Sequence, residues 1–294
     1  MIFLQSLAVT ADGLQKSLEE AVSATVREFE SKNLQTNQIA VTLRVFRAEK
    51  EEQASFRGKE SIYPASVVKL FYLVAAHQWM ENQTIKDTPE LRQALRDMIV
   101  DSSNDATHYV LDVLTDTQSG PELSGPEMAV WILKRNAVNR LFLKQGYRGI
   151  NANQKPWCEA PYGRDRVFVE GPPSNRNALT TDAVAKLLAD IVAGRSASPK
   201  RDGEMMDLLR RDPFRQTLDP DDQAHGFTGG ALKPGAKLWS KAGWTSKTRH
   251  DAAYVELPNG TRIVVVVFTV DQANERGILQ ALCKRLFETL DTPP

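Results

Sequence analysis

Residues 238–270, LWSKAGWTSKTRHDAAYVELPNGTRIVVVVFTV, hold three strand patterns in succession: 238–244, 252–257 and 262–270. Pro258-Asn259-Gly260 sits between the last two, and Asn-Gly between apolar runs is a hairpin turn signal. The run 264–267 is four valines, the pattern of a strand covered on both faces. C-terminal to these strands, 272–289 carries Ile278, Leu279, Leu282, Leu286 and Phe287 on one side and predicts a closing helix. At the other terminus, Leu14, Leu18, Ala21, Val22, Thr25, Val26 and Phe29 predict a helix over 12–32, with Asp12 as its cap. Ile39, Val41, Leu43 and Val45 alternate through a strand at 38–46, and 54–56 can pair with it. Between these ends, 66–211 is mostly helical in pattern. The economical arrangement is an α+β fold: a mainly antiparallel sheet built from both termini (1–60 and 215–294), flanked by terminal helices, with an inserted all-helical lobe (61–214). A cleft between two such lobes is where a site is expected. Residues 146–178, rich in Gly, Pro, Asn and Arg, read as a long loop, and long ordered loops are often functional.

Composition narrows the classes. The 294 residues are 41% apolar and 25% charged, ordinary for a globular protein, and 37 basic residues balance 37 acidic ones. That balance leaves no basic stripe for nucleic acid and no polybasic helix for a membrane surface. No stretch approaches the ~20 apolar residues of a membrane span. Cys158 and Cys283 set neither a disulfide framework nor a zinc spacing. The start of the chain lacks a basic segment before its apolar residues, so a periplasmic or secreted location is expected if a leader has been removed, and a cytoplasmic one otherwise.

Three short motifs carry chemistry. Ser66-Val67-Val68-Lys69 opens an apolar helix after Tyr63-Pro64-Ala65. An (i, i+3) pair shares a helix face, so the Lys69 amine can take the proton of the Ser66 hydroxyl, a weak nucleophile without such help. Val67, Val68, Leu70, Phe71, Leu73 and Val74 surround the pair, and a lysine amid that run is costly unless it is used. Ser102-Ser103-Asn104 precedes a helix at 105–114. Taken alone it is a helix N-cap; beside the first motif, Ser102 can pass a proton to a leaving group and Asn104 can bind a substrate amide. Lys241-Ala242-Gly243 lies on the first C-terminal strand. Alone it is an exposed strand lysine; in company, Lys241 can bind a carboxylate and polarise Ser102, and Gly243 lets a substrate backbone approach.

Three weak signals in this order and context are jointly strong: S-x-x-K, S-D-N and K-T-G together mark class A β-lactamases and penicillin-binding proteins. The chain resembles that family across nearly its whole length, through Pro-Ala-Ser-x-x-Lys-Leu, Met-Ile ahead of the second motif, and the Lys-x-Gly strand followed by Arg249-His250-Asp251-Ala252-Ala253. The resemblance implies the β-lactamase-like two-lobed fold. It also implies an acyl-Ser66 intermediate, with an oxyanion hole from the backbone N–H groups of Ser66 and Trp244. Ser66, Lys69, Ser102 and Lys241 are then the expected catalytic residues. Asn104, Ala242, Gly243, Trp244 and Arg249 are the expected substrate-binding ones.

Four departures bear on function. Ser103 stands where the family usually has Asp. Ala242 stands where a Thr or Ser hydroxyl helps hold the substrate carboxylate. The segment between Ser66 and Ser102 is shorter than in class A enzymes, and the loop before Arg176-Asn177 is longer. That loop in the family carries E-x-x-L-N, whose Glu activates the deacylating water, and the motif is absent here. Glu159, in Trp157-Cys158-Glu159, and Glu170 are the candidate replacements, though each also reads as a solvent-facing carboxylate. Arg249 beside Asp251 also fits a structural ion pair, His250 a satisfied core or edge histidine, and Trp244 ordinary sheet packing. His77 and His108 have no metal-ligand partners at useful spacing. The expectation is a monomeric hydrolase without metal or cofactor that acts on a small molecule: a β-lactam, a peptidoglycan-type peptide or an ester. A D,D-peptidase or esterase with slow deacylation, and a sensor that acylates once, are the alternatives.

Overall fold

A computed structural model describes residues 11–47, 50–157 and 160–291. In chain order, α1 (Ala11–Glu28), β1 (Ile39–Arg47) and β2 (Lys50–Phe56) come first. A helical stretch follows: α2 (Lys69–Glu81), α3 (Pro89–Val100), α4 (Asn104–Thr115), α5 (Gly125–Arg135) and α6 (Ala137–Lys144). Then come β3 (Ile150–Asn151), α7 (Gly163–Glu170), β4 (Ala178–Leu179), α8 (Thr181–Val192) and α9 (Pro199–Leu209). β5 (Arg210–Arg211), β6 (Lys237–Trp244), β7 (Thr248–Glu256), β8 (Arg262–Val270) and α10 (Gly277–Leu290) close the chain. The chain divides into two compact units, one of residues 59–209 and one of 1–58 with 210–294.

The second of these is a six-stranded sheet in the order β2-β1-β8-β7-β6-β5, antiparallel throughout. The β7–β8 hairpin turns at Pro258-Asn259-Gly260. Gly260 takes φ +85° there, and the Leu257 N–H donates to the Thr261 carbonyl at 2.9 Å. β8 lies between β1 and β7, and its valines are buried on both faces as their uniform apolarity predicts. One face is shared with the helices. Leu14, Leu18 and Val22 of α1 join Leu43 of β1, Val265 and Val267 of β8, and Leu282 and Leu286 of α10 in one core.

The terminal helices differ from their periodicity at the ends. α1 stops at Glu28, and 30–32 is a separate 3-10 turn, with Asn33 left-handed after it. α1 also begins one residue before Asp12, which lies in its first turn, where the helix dipole favours an acid, instead of capping it. α10 starts at Gly277 because a turn at 271–276 comes first.

In the helical unit α2 is the central element. Residues 69–77 are all buried, so this helix is enclosed on every side. α3, α4, α6, α8 and α9 pack around it. The segment 146–178 holds more structure than its composition predicts: the β3–β4 ladder, the eight-residue α7, and a run of side-chain amides taken up below. Among the described residues no helix is long and apolar enough to cross a membrane.

Candidate active site

Chain entry to α2 is fixed by a backbone bridge. Ile62 and Leu179 exchange N–H···O bonds of 2.9 Å each. Ala65 then takes φ +46°, and residues Ala65–Val68 form a 3-10 turn. A left-handed non-glycine residue costs on the order of 1 kcal/mol and collects at functional sites. Side chains at i and i+3 eclipse in a 3-10 turn, so Ser66 and Lys69 project the same way. The Lys69 N–H donates to the carbonyls of Ser66 and Val67, which holds that relation. Ser66 is half-buried and Lys69 has no exposed surface.

A second left-handed residue, Ser102 (φ +57°), forms the turn between α3 and α4. Its neighbour Ser103 caps α4: the Oγ accepts from the Ala106 N–H at 3.1 Å, and the Ser103 N–H donates to the Asp97 carbonyl at 3.0 Å. The left-handed turn and the cap are thus divided between adjacent residues. Lys69 Nζ lies 2.6 Å from the Ser102 carbonyl oxygen, 2.9 Å from Asn104 Oδ1, 3.2 Å from Ser102 Oγ and 3.4 Å from the Ser103 carbonyl. A buried amine is tolerated when oxygens replace its water. A neutral amine has two N–H groups and one lone pair. The two short bonds can take both N–H groups, which leaves the lone pair for a hydroxyl proton.

Behind this turn the chain from 151 to 156 is hydrogen-bonded at every residue, and Trp157 after it is held by ring packing. Asn151 Nδ2 donates to Asn175 Oδ1 (2.9 Å) and to the Arg176 carbonyl (2.8 Å), and the Ala152 N–H to Asn139 Oδ1 (2.6 Å). Asn153 is fully buried, and its Nδ2 reaches the side-chain oxygens of Asn136, Asn151 and Asn175 at 2.7–3.0 Å. The Gln154 carbonyl accepts from Tyr72 Oη (2.9 Å) and Asn177 Nδ2 (2.9 Å). Lys155 Nζ reaches Asp112 Oδ2 (2.7 Å) and Ser119 Oγ (2.8 Å). His108 Nε2 lies 2.7 Å from the Pro156 carbonyl, and its ring packs on Trp157 at 4.4 Å between centroids. Burial pushes the Tyr72 phenol up and the His108 imidazole down, so both stay neutral donors at pH 7. Burial also pushes the Asp112 carboxyl up and the Lys155 amine down, and their pairing offsets part of that cost.

Of the acidic residues in 146–178, Asp165 is buried and lies 3.4 Å from Arg135, whose guanidinium also reaches Asp112 (3.3 Å) and lies over Trp131. Glu170 ends α7 and is exposed. Cys158 and Glu159 lie outside the described residues.

The sheet unit carries the third motif. Lys241 on β6 is fully buried rather than exposed, and its Nζ donates to Gln223 Oε1 and to the Ala242 carbonyl at 2.7 Å each. Strand alternation turns Ala242 the other way, into the helix-side core. Gly243 is buried opposite His250, and Trp244 ends β6 with its ring against Phe227 at 5.5 Å. Trp244 is 40% exposed, so it is only partly taken up by that packing. Arg249 donates to Asp221 Oδ1 and to the Gly226 carbonyl at 2.7 Å each and lies over the Phe227 ring. Its ion pair is with Asp221, from a distant loop, and not with the adjacent Asp251. His250 is a core residue: Nδ1 accepts from the Thr269 N–H at 3.1 Å, and the ring packs on Phe268.

Sequence reasoning passed over Tyr72, Asp112 and Lys155, and weighed His108 only as a metal ligand. A signal was present in the spacing 104, 108, 112, one face of α4, which begins at a motif residue.

Comparison with known proteins agrees with this architecture. A family profile described as Beta-lactamase enzyme family matches residues 18–290. No curated protein is significantly similar in sequence. Among solved structures, a β-lactamase from Sphaerobacter thermophilus is 20% identical, with a TM-score of 0.65 over 95% of this chain and 99% of that one. A β-lactamase from Chitinophaga pinensis is 15% identical, with a TM-score of 0.65 over 95% and 99%. A mutant of PBP-A, solved as its acyl-enzyme complex with penicillin G, is 15% identical, with a TM-score of 0.64 over 94% and 96%. At these identities the likeness is one of fold.

Proposed function

The chain belongs to the β-lactamase enzyme family, and from that premise we propose that it is an active-site-serine hydrolase that forms an acyl-Ser66 intermediate from a β-lactam or a related amide or ester. The observation that carries this reading is the buried Lys69 amine, ringed by oxygens of residues 102–104 one 3-10 turn from Ser66. Ser66 Oγ gives its proton to the Lys69 lone pair and bonds to the substrate carbonyl carbon. The C–N bond of the resulting adduct breaks, and the leaving nitrogen takes a proton from Lys69 by way of Ser102 Oγ. Water then cleaves the acyl-Ser66 ester. Asn104 is assigned to the substrate amide, Lys241 to a substrate carboxylate, and the backbone at Gly243 and Trp244 to the substrate main chain. Arg249 and the Ala242 side chain have internal partners that account for them.

A fluorescent penicillin should label the wild type and leave Ser66→Ala unlabelled. Equal labelling of the two would reject the nucleophile and the reading with it.

A second reading, slow deacylation as in a penicillin-binding peptidase, is favoured by the loop carboxylates. E-x-x-L-N is absent, Asp165 is paired with Arg135, and Glu170 is exposed. Glu159 remains the other proposed base. Rapid mixing with nitrocefin separates the two readings: a burst of about one equivalent and then a slow phase marks the peptidase-like enzyme, and sustained turnover of ~10 s⁻¹ or more marks a β-lactamase.

A further inference from the structure

Two catalytic helices are tied to one stretch of loop, each by the residue one turn behind its motif. Tyr72 is three residues after Lys69 on α2, and its hydroxyl donates to the Gln154 carbonyl at 2.9 Å. His108 is four residues after Asn104 on α4, and its Nε2 lies 2.7 Å from the Pro156 carbonyl. Those carbonyls are two residues apart, a span of at most about 7 Å. The piece between them is stiff. Pro156 has a fixed φ, and a residue before proline is biased to extended backbone, so Lys155 has little freedom. Asp112, one further turn along the same face of α4, takes Lys155 Nζ at 2.7 Å. Asn104, His108 and Asp112 thus form one stripe on α4, its first member bonded to Lys69 and the other two to the loop.

We infer that residues 151–157 are a strut that sets the spacing of α2 and α4 at the catalytic turn, with Tyr72 and His108 as its positioning residues. The side-chain amides of Asn151, Asn153 and Asn177 hold the strut from behind, so it does not yield when either helix pulls. What the strut protects is the geometry of Lys69. If α4 moves away from α2, the 2.6 Å and 2.9 Å bonds to Ser102 and Asn104 open together, and the amine loses the partners that direct its lone pair. Reactive geometry of this kind is sensitive, because a displacement near 1 Å can cost about a hundredfold in rate. The consequence for the reaction rests on the acyl-Ser66 reading; the geometric part does not.

The test uses the full chain with Tyr72→Phe, His108→Ala and His108→Gln. Stopped-flow acylation by a penicillin resolves the non-covalent binding constant from the acylation rate constant, and thermal melts run alongside. Tyr72→Phe and His108→Ala are expected to slow acylation by roughly tenfold to a hundredfold with binding unchanged. His108→Gln, whose amide can donate to the same carbonyl, is expected to recover most of that loss. Normal acylation with only a lowered melting temperature, or a Gln variant no better than Ala, would overturn the strut. If the wild type is not acylated at Ser66, the hydrolase reading fails, and a crystal structure of Tyr72→Phe decides the strut alone. There the Lys69 Nζ–Asn104 Oδ1 distance is expected to lengthen from 2.9 Å, and an unchanged distance rejects the inference.

Discussion

Among the described residues two lysines have no exposed surface, one in each unit, and they are kept there differently. Lys69 is held by oxygens that come from a single three-residue turn on the neighbouring helix. Lys241 extends from a ladder strand to the side-chain oxygen of Gln223 and to the carbonyl of the next residue on its own strand. The Lys69 environment depends on where α4 sits relative to α2; the Lys241 environment depends on a β-strand laddered to β7 and on the loop that carries Gln223. The same contrast runs through the two units. The sheet unit is organised by apolar burial and backbone ladders, whereas the segment behind Lys69 is organised by buried amides and ion pairs. Apolar packing tolerates local change by repacking, but a buried polar network loses a defined partner with each substitution.

The sharpest test of that contrast is to replace each lysine by arginine. Lys69→Arg keeps a positive charge but removes a usable proton acceptor, so acylation should fall by 10³-fold or more, about 4 kcal/mol of barrier. Lys241→Arg, where charge is the proposed contribution, should cost roughly tenfold. Acylation rates of the two variants, read beside their melting curves, check this. Equal losses would mean that Lys69 also acts only as a charge.

This contrast also marks what was legible in the sequence. Strand patterns at 38–46, 238–244 and 262–270 fall on β1, β6 and β8 because alternation and β-branched runs report burial on a ladder directly. The Ser66–Lys69 and Ser102–Asn104 motifs were legible as local patterns, but the 3-10 turn that carries the first, in place of an α-helix face, and the bonds from Lys69 to residues 33 to 35 positions on were not. The structure inside 146–178 was not. Asn151, Asn153 and Asn177 look like loop residues by composition, yet each is bonded to a partner 12 to 25 positions away in the chain, and periodicity carries no information at that range. Burial of Lys241 and the choice of Asp221 over Asp251 by Arg249 were hidden for the same reason: Gln223 and Asp221 belong to a loop with no pattern of its own.

Smaller effects should separate the two kinds of packing. Leu43→Ala, in the sheet core, is expected to cost about 2–5 kcal/mol of unfolding free energy and to leave acylation of the folded protein unchanged. Asn153→Ala should cost less, about 1–3 kcal/mol, because three carbonyl oxygens lose a donor, but it should slow acylation as well. Denaturant titrations and labelling rates measured on the same samples decide it. A sheet-core variant with slowed acylation, or an Asn153 variant with none, would erase the distinction.

The last effect is a pH dependence built into the helical unit. His77 of α2 is 4% exposed, and neither ring nitrogen has a hydrogen bond among the described residues. Burial pushes its pKa down to about 4; Glu204 opposes this, Arg201 and Arg92 reinforce it, and Asp87 opposes it weakly. The ordinary value is 6.5, so between pH 6.5 and about 4 the unfolded chain binds a proton that the folded chain refuses. Stability contributed by the neutral ring is therefore complete above pH 6.5 and is lost as pH falls towards 4, by up to about 3 kcal/mol. Asp221 in the sheet unit behaves differently. Arg276, with Arg249, holds its pKa down to about 2, so its contribution is present above the ordinary 3.8 and is lost only below that. Amide protection factors in α2 and α9, corrected for the pH dependence of intrinsic exchange, should fall between pH 6.5 and 4.5, while those around 221–227 change little over that range. His77→Phe, which fills the site without titrating, should remove the fall. An unchanged pH slope in that variant would show that the polar cluster around Glu204 and Arg201, rather than the buried ring, sets the acid sensitivity of the unit.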